Sequence, residues 1–202
     1  HRDLHSFPTR RSSDLLKVVS IESGPKTIEC SADIGYAAPG ILKVVDMNKD
    51  LYDGIMINCF ADPAITAARE ISHIPIAGPG ETAIILASML GHKFSIISPQ
   101  ESIKPMLEKK IIDMGLKSKL ASIEDIDMAV SELESDANIT LKKLTTVIDK
   151  AVKDNHAEIV VLGCTGLLFL YNQIKKVIEI PIIEPAAAAV KMLEAMIDLG
   201  LS

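Results

Sequence analysis

One pattern of elements occurs twice in this chain of 202 residues, and the repeat limits which folds the chain can adopt. Each copy contains a buried strand that ends in a cysteine, a helix, a short Ile-Pro strand, a second proline and an alanine-containing helix. The marker residues are Cys59, Pro75 and Pro79 in the first copy and Cys164, Pro181 and Pro185 in the second. The cysteine precedes the first proline by 16 and 17 positions, and the prolines are 4 apart in both copies. The repeat therefore predicts two like halves whose cysteine turns face one cleft.

Short apolar, β-branched runs alternate with helical patterns along most of the chain, which predicts an α/β fold with mainly parallel sheets. The predicted strands span residues 16–22, 53–59, 74–77, 93–98, 120–128, 158–164 and 180–183. The predicted helices span residues 41–49, 63–71, 81–90, 102–114, 138–155, 167–177 and 186–199, and segment 26–38 is ambiguous. We expect two pseudo-symmetric halves, with residues 16–91 plus 186–202 in the first and residues 92–185 in the second.

The helix at 63–71 has the sequence signals of a helix start. Asp62 is a favourable N-cap residue, and Pro63 follows at the first helical position. The turn at Gly78-Pro79-Gly80 is followed by Glu81 rather than by the Lys-Ser/Thr pair of a phosphate-binding loop. The glycines therefore give no indication of a nucleotide site.

Both repeat cysteines are predicted at the carboxyl end of a buried strand, where open α/β sheets bind ligands. Each also precedes a helix, whose positive amino end is expected to lower the thiol pKa. Inverting a carbon next to a carbonyl requires a base on one face and an acid on the other, and two facing cysteines can supply both. This chemistry requires neither a metal nor an organic cofactor. The structural alternative is a small buried hydrophobe, which is the role predicted for Cys30 outside the repeat.

Composition excludes several other classes. The net charge is −6 and no basic cluster lies outside the amino-terminal tail, which argues against nucleic-acid binding. No apolar run approaches the ~20 residues that span a bilayer, so no membrane partner is expected. Three widely spaced cysteines suit neither a disulfide framework nor a zinc site, which predicts a reducing cytoplasm.

Two motifs carry a family resemblance. Residues 58–63 read N-C-F-A-D-P, and residues 78–83 read G-P-G-E-T-A. They resemble motifs of the aspartate/glutamate/hydantoin racemase superfamily, and the first is similar to the C-F-x-D-P of its hydantoin and allantoin racemases. Phe60 and Gly166 stand where the amino-acid racemases of the superfamily usually carry asparagine and histidine. The resemblance covers residues 16–202 and favours a neutral cyclic ureide, a small molecule, as substrate.

The resemblance also implies site residues. Cys59 and Cys164 would be the acid/base pair, and backbone amides at Phe60, Thr165 and Gly166 would hold the carbonyl oxygens of the substrate. The other substrate-binding candidates are Asn58, Gly80 and Glu81. For Asn58 the alternative is a strand-end residue bonded to the local backbone, and for Glu81 a first-turn residue favoured by the helix dipole. A homo-oligomer is expected from the resemblance alone.

Residues 1–15 differ from the rest, with three arginines, two histidines and no isoleucine or valine. We expect them to be a non-native, adapter-like or disordered tail, standing where the family has a first strand and an Asn-Pro-Asn-Thr-like loop. The first half would then lack that strand. Three alternatives to a hydantoin-type racemase stay open: an aspartate or glutamate racemase, a one-cysteine decarboxylase, and a non-catalytic accessory protein of the same fold.

Overall fold

The computed structural model describes residues 15–201, so most of the predicted tail lies outside the described residues. Within these described residues, six strands form two sheets in which all neighbouring strands are parallel. The smaller sheet pairs β1 (Ile55–Met56) with β2 (Ile76–Ala77). The larger sheet has the order β4-β3-β5-β6, formed by β3 (Phe94–Ser98), β4 (Leu120–Asp125), β5 (Ile159–Leu162) and β6 (Ile182–Ile183). The predicted parallel α/β architecture is confirmed.

Seven α-helices connect and cover these strands in the described chain. They are α1 (Ser31–Asn48), α2 (Ile65–Glu70), α3 (Pro79–Leu90), α4 (Lys104–Asp113), α5 (Ala137–Lys153), α6 (Tyr171–Ile174) and α7 (Pro185–Asp198). The central strand β5 is buried along its whole length, as a parallel strand covered on both faces should be. One apolar cluster lies on each face of the larger sheet, and a third covers the smaller sheet.

The long helices that end the two repeats, α3 and α7, pack on each other. Each of them covers the other sheet rather than the sheet whose strand it follows. α3 follows β2 of the smaller sheet, yet its buried residues Ala83, Ile84 and Ala87 pack in the cluster that contains β3 and β5. α7 follows β6 of the larger sheet, yet it contacts β1 and β2. The assignment of α7 to the first half agrees with this packing, whereas α3 lies on the larger sheet. The exact division into halves stays a prediction.

Two predictions for the amino-terminal region are wrong. Segment 16–22 forms no strand in the described chain, and Val18 and Val19 are 57% and 44% exposed. A strand needs a neighbour for its backbone groups, and β1 pairs with β2 alone among the described residues. α1 begins at Ser31 and continues through Pro39 and Gly40, which were predicted to precede it. At Gly40 a Cβ atom would lie 2.8 Å from the Ser23 carbonyl oxygen, so the glycine permits close packing and does not break the helix.

The other differences concern helix ends and helix type. The predicted helix at 167–177 is instead a 3-10 turn, Thr165–Leu170, followed by the short α6. Its buried leucines, Leu167 and Leu170, are three apart, a spacing that suits both helix types and could not separate them. α3 begins at Pro79 rather than at residue 81, because the Gly-Pro-Gly turn already forms its first turn. No helix in residues 15–201 is both long enough and apolar enough to span a membrane.

Candidate active site

The first cysteine turn follows β1 and bends back on itself at once. The Cys59 N–H donates to the Ile57 carbonyl at 2.7 Å, and the Asp62 N–H donates to the Cys59 carbonyl at 3.0 Å. Asp62 has a φ of 51°, a left-handed conformation that aspartate tolerates better than most residues. The sharp turn presents the Cys59 side chain beyond the carboxyl end of β1.

Asp62 does not cap the helix that follows it, contrary to the sequence prediction. α2 begins later, with Ala64 in a left-handed conformation as its N-cap. The Asp62 carboxylate accepts instead from the N–H groups of Gly80 (2.9 Å) and Glu81 (2.7 Å) in the first turn of α3. Gly78, at the N-cap of α3, has no side chain for this task, whereas Glu184 caps its own helix α7 in the second repeat.

A buried ion pair completes the first turn. Lys110 of α4 donates to Asp62 Oδ2 at 2.6 Å, and the Asp62 side chain is only 1% exposed. The same Lys110 Nζ donates to the carbonyls of Ala61 at 2.9 Å and Phe60 at 3.4 Å. Burial raises the pKa of Asp62, and Lys110 and the two amides of α3 oppose this rise. Three consecutive residues of the cysteine turn are thus held by one ammonium group.

The second cysteine turn follows β5. The Gly163 N–H donates to the Ile97 carbonyl at 2.7 Å, and a Cβ atom at Gly163 would lie 2.8 Å from the same oxygen. Glycine is therefore required where the chain leaves the sheet. Cys164 is the N-cap of the 3-10 turn, and its sulfur accepts from the Gly166 N–H at 3.3 Å. This hydrogen bond favours a negative charge on the Cys164 sulfur.

Both turns open into one cleft of about 550 Å³. Six of the eight predicted site residues line this cleft: Asn58, Cys59, Phe60, Cys164, Thr165 and Gly166. The other two are not among the lining residues that the structure describes. The N–H groups of Gly80 and Glu81 bind Asp62, and the Glu81 side chain forms an ion pair with Arg69. The structure thus brings the two cysteines together and places Gly80 and Glu81 behind the first turn.

The outer walls of the cleft carry no signal that sequence reasoning could have found. One wall is segment 25–29, a part of the chain without regular structure whose pattern was ambiguous. It is fastened by Glu29, which accepts from the Val130 N–H at 2.8 Å through its carboxylate and from Ser102 Oγ at 2.9 Å through its carbonyl. The other wall contains Val130, Ser131 and Glu134. Neither segment carries a motif, so only the tertiary structure identifies them.

The pKa of the Cys59 thiol is raised, whereas the sequence predicts that it is lowered. Burial raises its pKa to about 12, and charge on Cys164 and Asp62 adds to the rise. A hydrogen bond from the Ala61 N–H and the charge of Lys110 lower the pKa, but less than burial raises it. The expected lowering by a helix amino terminus is therefore wrong for Cys59, because burial of the thiol outweighs the groups that lower its pKa and the helix that follows, α2, begins only at Ile65.

Because the pKa of Cys59 is raised, we expect the protein to lose stability as the pH becomes alkaline. The thiol ordinarily titrates near 9.0, so the stabilisation is complete below that pH and is lost as the pH rises toward about 12. At about pH 10.5 the free energy of unfolding should have fallen by about 2 kcal/mol from this group alone. Urea unfolding of the wild type and of Cys59→Ser at neutral and alkaline pH isolates the effect. Equal alkaline losses in the two proteins would contradict it.

Among residues 15–201, no group of three or more His, Cys, Asp or Glu side chains is arranged to hold a metal ion. None of the three cysteines forms a disulfide in the described chain, and two of them, Cys59 and Cys164, line the cleft. Cys30 lies elsewhere, as the N-cap of α1, with its sulfur 3.3 Å from Asp33 Oδ2.

Comparison with known proteins agrees with this geometry. The Asp/Glu/hydantoin racemase family model matches residues 8–193. A hydantoin racemase of Pseudomonas sp. (strain NS671) is 31% identical over 191 residues, which cover 94% of this chain and 77% of the relative. The solved allantoin racemase of Klebsiella pneumoniae is 31% identical with a TM-score of 0.86, over 90% of this chain and 75% of that one. A glutamate racemase of Francisella tularensis, at 19% identity and a TM-score of 0.65 over 88% of this chain and 68% of that one, shares the fold.

Proposed function

The chain belongs to the Asp/Glu/hydantoin racemase family, and from that premise we propose that it is a cofactor-independent racemase of cyclic ureides. Its substrates would be hydantoin- or allantoin-like rings, with Cys59 and Cys164 as the acid and base. The observation that carries the proposal is that two cysteines from equivalent turns line one cleft in a chain similar to hydantoin and allantoin racemases.

The reaction moves one proton off the ring and another onto it. A thiolate on one side removes the proton from the ring carbon next to the carbonyl, and the electron pair of the broken C–H bond passes into the carbonyl as an enolate. The thiol on the opposite side then donates its proton to the same carbon, so the centre is inverted. Each turnover leaves the two cysteines in exchanged protonation states, ready for the opposite enantiomer.

The electrostatics of the cleft support this exchange. Charge on Cys164 raises the pKa of Cys59, so ionising one sulfur disfavours ionisation of the other. The Gly166 N–H already donates to the Cys164 sulfur, which suits Cys164 as the thiolate in the free protein. We propose that Phe60 and Thr165 contribute amides toward the substrate carbonyls, and that the Gly166 N–H turns from sulfur to substrate as the proton moves.

A neutral substrate is favoured by the charge of the lining. Lys26 is the only basic side chain among the described residues that line the cleft, and it lies on the outer wall. A free aspartate or glutamate carries carboxylates that call for cationic partners. Gly166 stands where the amino-acid racemases have histidine, which points the same way.

The test is to incubate a single enantiomer of a 5-substituted hydantoin, and separately of allantoin, with the protein in heavy water. We expect the optical rotation to decay to zero while deuterium appears at the inverted carbon, read by chiral chromatography and NMR. An enzyme-free reaction at the same pH corrects for spontaneous exchange.

Aspartate, glutamate and an arylmalonate are assayed in parallel, and three other results would each replace the proposal. Racemisation of aspartate or glutamate alone would indicate the amino-acid racemase alternative. Ring binding without proton exchange would indicate a non-catalytic member of the fold, and loss of carbon dioxide from an arylmalonate would indicate a decarboxylase.

The cellular setting is also proposed. Three cysteines that form no disulfide in the described chain suit a reducing compartment, so we propose a cytoplasmic location. Assembly into a homo-oligomer stays a prediction from the resemblance.

A further inference from the structure

We propose that Lys110 is a positioning residue for Cys59: its ammonium holds the Phe60 and Ala61 carbonyls away from the cleft and thereby turns the Ala61 N–H onto the Cys59 sulfur. The inference rests on the proposed function, in which Cys59 is one of the two acid/base groups. Lys110 lies on α4, is not among the described residues that line the cleft, and matches none of the motifs in the sequence. It would act on the reaction through the backbone of the turn.

The geometry begins with the convergence of three acceptors on one ammonium group. The Phe60 carbonyl (3.4 Å), the Ala61 carbonyl (2.9 Å) and Asp62 Oδ2 (2.6 Å) all lie within hydrogen-bond distance of Lys110 Nζ. An ammonium group has three donors, so this set satisfies it fully. The Lys110 side chain is 17% exposed, and the pair is therefore shielded from water and salt.

The trans peptide bond between Phe60 and Ala61 links the Lys110 contact to the Cys59 sulfur. The carbonyl of one residue and the N–H of the next point in opposite directions across the plane. With the Phe60 carbonyl drawn toward Lys110, the Ala61 N–H points the other way, where it donates to Cys59 and lowers the thiol pKa. The Asp62 N–H bond to the Cys59 carbonyl closes the turn around this peptide plane, and the Lys110 ammonium holds the Phe60 carbonyl within it.

Gly80 leaves the room that this arrangement needs. A Cβ atom at Gly80 would overlap the Phe60 carbonyl oxygen and lie 3.1 Å from Lys110 Nζ. The first turn of α3 thus packs directly against the carbonyls that Lys110 holds. The ionisable groups that act on Cys59 or share its cleft are Asp62, Lys110, Cys164, Lys26, Glu29 and Glu134.

The test measures alkylation of each cysteine by iodoacetamide, resolved by mass spectrometry, at about pH 9. Lys110→Met should slow alkylation of Cys59 about tenfold, the effect of one unit of pKa, and leave Cys30 unchanged. Lys109→Met is the matched control, because Lys109 is on the same helix but pairs at the surface with Asp113, and its side chain is 74% exposed. This control removes the same charge and should leave Cys59 at the wild-type rate.

Asp62→Asn should change the alkylation rate of Cys59 in the direction opposite to Lys110→Met. It breaks the same ion pair but removes the negative charge that raises the Cys59 pKa, and it leaves Lys110 on the two carbonyls. Alkylation of Cys59 should therefore become faster, even where Lys110→Met is too unstable to measure. If both substitutions change the rate in the same direction, if neither changes it, or if neither protein folds, Lys110 is a structural residue only and the proposal is overturned.

Turnover gives a second readout. Lys110→Met should lower kcat about tenfold with KM near the wild-type value, because Lys110 orients a proton-transfer group and binds no substrate. Alkylation requires no substrate, so it can support or overturn the role of Lys110 even if the protein fails to racemise hydantoins. A rise in KM at unchanged kcat would contradict the positioning role.

Discussion

Cys59→Ser and Cys164→Ser should each abolish racemisation, while each variant still exchanges the ring proton of one enantiomer with retention of configuration. The reason is that each sulfur serves one face of the substrate in the proposed mechanism. With Cys59 gone, Cys164 can still remove a proton from its own face and return a deuteron to the same face. Cys59 should do the same for the opposite enantiomer when Cys164 is gone.

The size of the effect follows from the loss of a general acid or base. Such a group commonly contributes 10²- to 10⁴-fold, so racemisation should fall by roughly 10³-fold or more in each variant. The measurement is deuterium incorporation from heavy water into each pure enantiomer, followed by NMR and chiral chromatography.

Cys30→Ser is the matched control for both variants. Cys30 is the N-cap of α1 and lies outside the lining of the cleft. Serine is a favourable N-cap residue, so this variant should fold and racemise like the wild type. Full racemisation by either of the two cleft variants would refute the two-base mechanism, and exchange of the same enantiomer by both would refute the assignment of one cysteine to each face.

Gly80→Ala should destabilise the protein far more than the addition of a single methyl group usually does. The added Cβ atom would overlap the Phe60 carbonyl oxygen and lie 2.8 Å from Asp62 Oδ2. Both neighbours are held by Lys110, so neither can yield without breaking the buried ion pair. We expect a loss of about 3 kcal/mol in the free energy of unfolding, at the upper end of overpacking effects.

Thermal unfolding measures this directly, and the melting temperature should drop by roughly 10 °C for a chain of this size. Gly35→Ala makes the same substitution at an exposed position in α1, where an added Cβ meets nothing within 4 Å. Alanine is favoured over glycine inside a helix, so this control should gain about 0.5–1 kcal/mol. Equal stabilities for the two variants would show that the first turn of α3 can shift to accept the added Cβ atom, and this would contradict the prediction.

The repeat allowed much of this architecture to be predicted from the sequence. The spacing of cysteines and prolines reflects strand and helix lengths, which local periodicity encodes, so the two cysteine turns and most strands follow from it. β-branched residues before Cys164 predict a strand covered on both faces, and β5 has that burial. The pattern could not fix how the halves exchange helices, because both sheets present similar apolar faces to α3 and α7.

The failures near Cys59 share one physical cause. Asp62 has the local signature of an N-cap, but its carboxylate binds a helix that begins 17 residues later, at Pro79. The Gly80 and Glu81 N–H groups bind this carboxylate, so neither residue lines the cleft, and burial raises the Cys59 pKa instead of lowering it. Contacts between residues distant in sequence decide all three outcomes, and sequence patterns report mainly on near neighbours.

The exchange of helices between the sheets has a consequence for how substrate enters. Because α3 packs on the larger sheet and α7 on the smaller one, swinging the two sheets apart would have to separate α3 from α7, which pack on each other. α7 is also packed closely beside β1, since a Cβ atom at Gly54 would lie 2.9 Å from the Leu193 side chain. Opening by a hinge would therefore break this helix packing, whereas the outer walls, segment 25–29 and the turn that begins at Val130, belong to neither helix. A ring that entered past the outer walls would leave the α3–α7 contact, and with it the spacing of the two cysteine turns, unchanged.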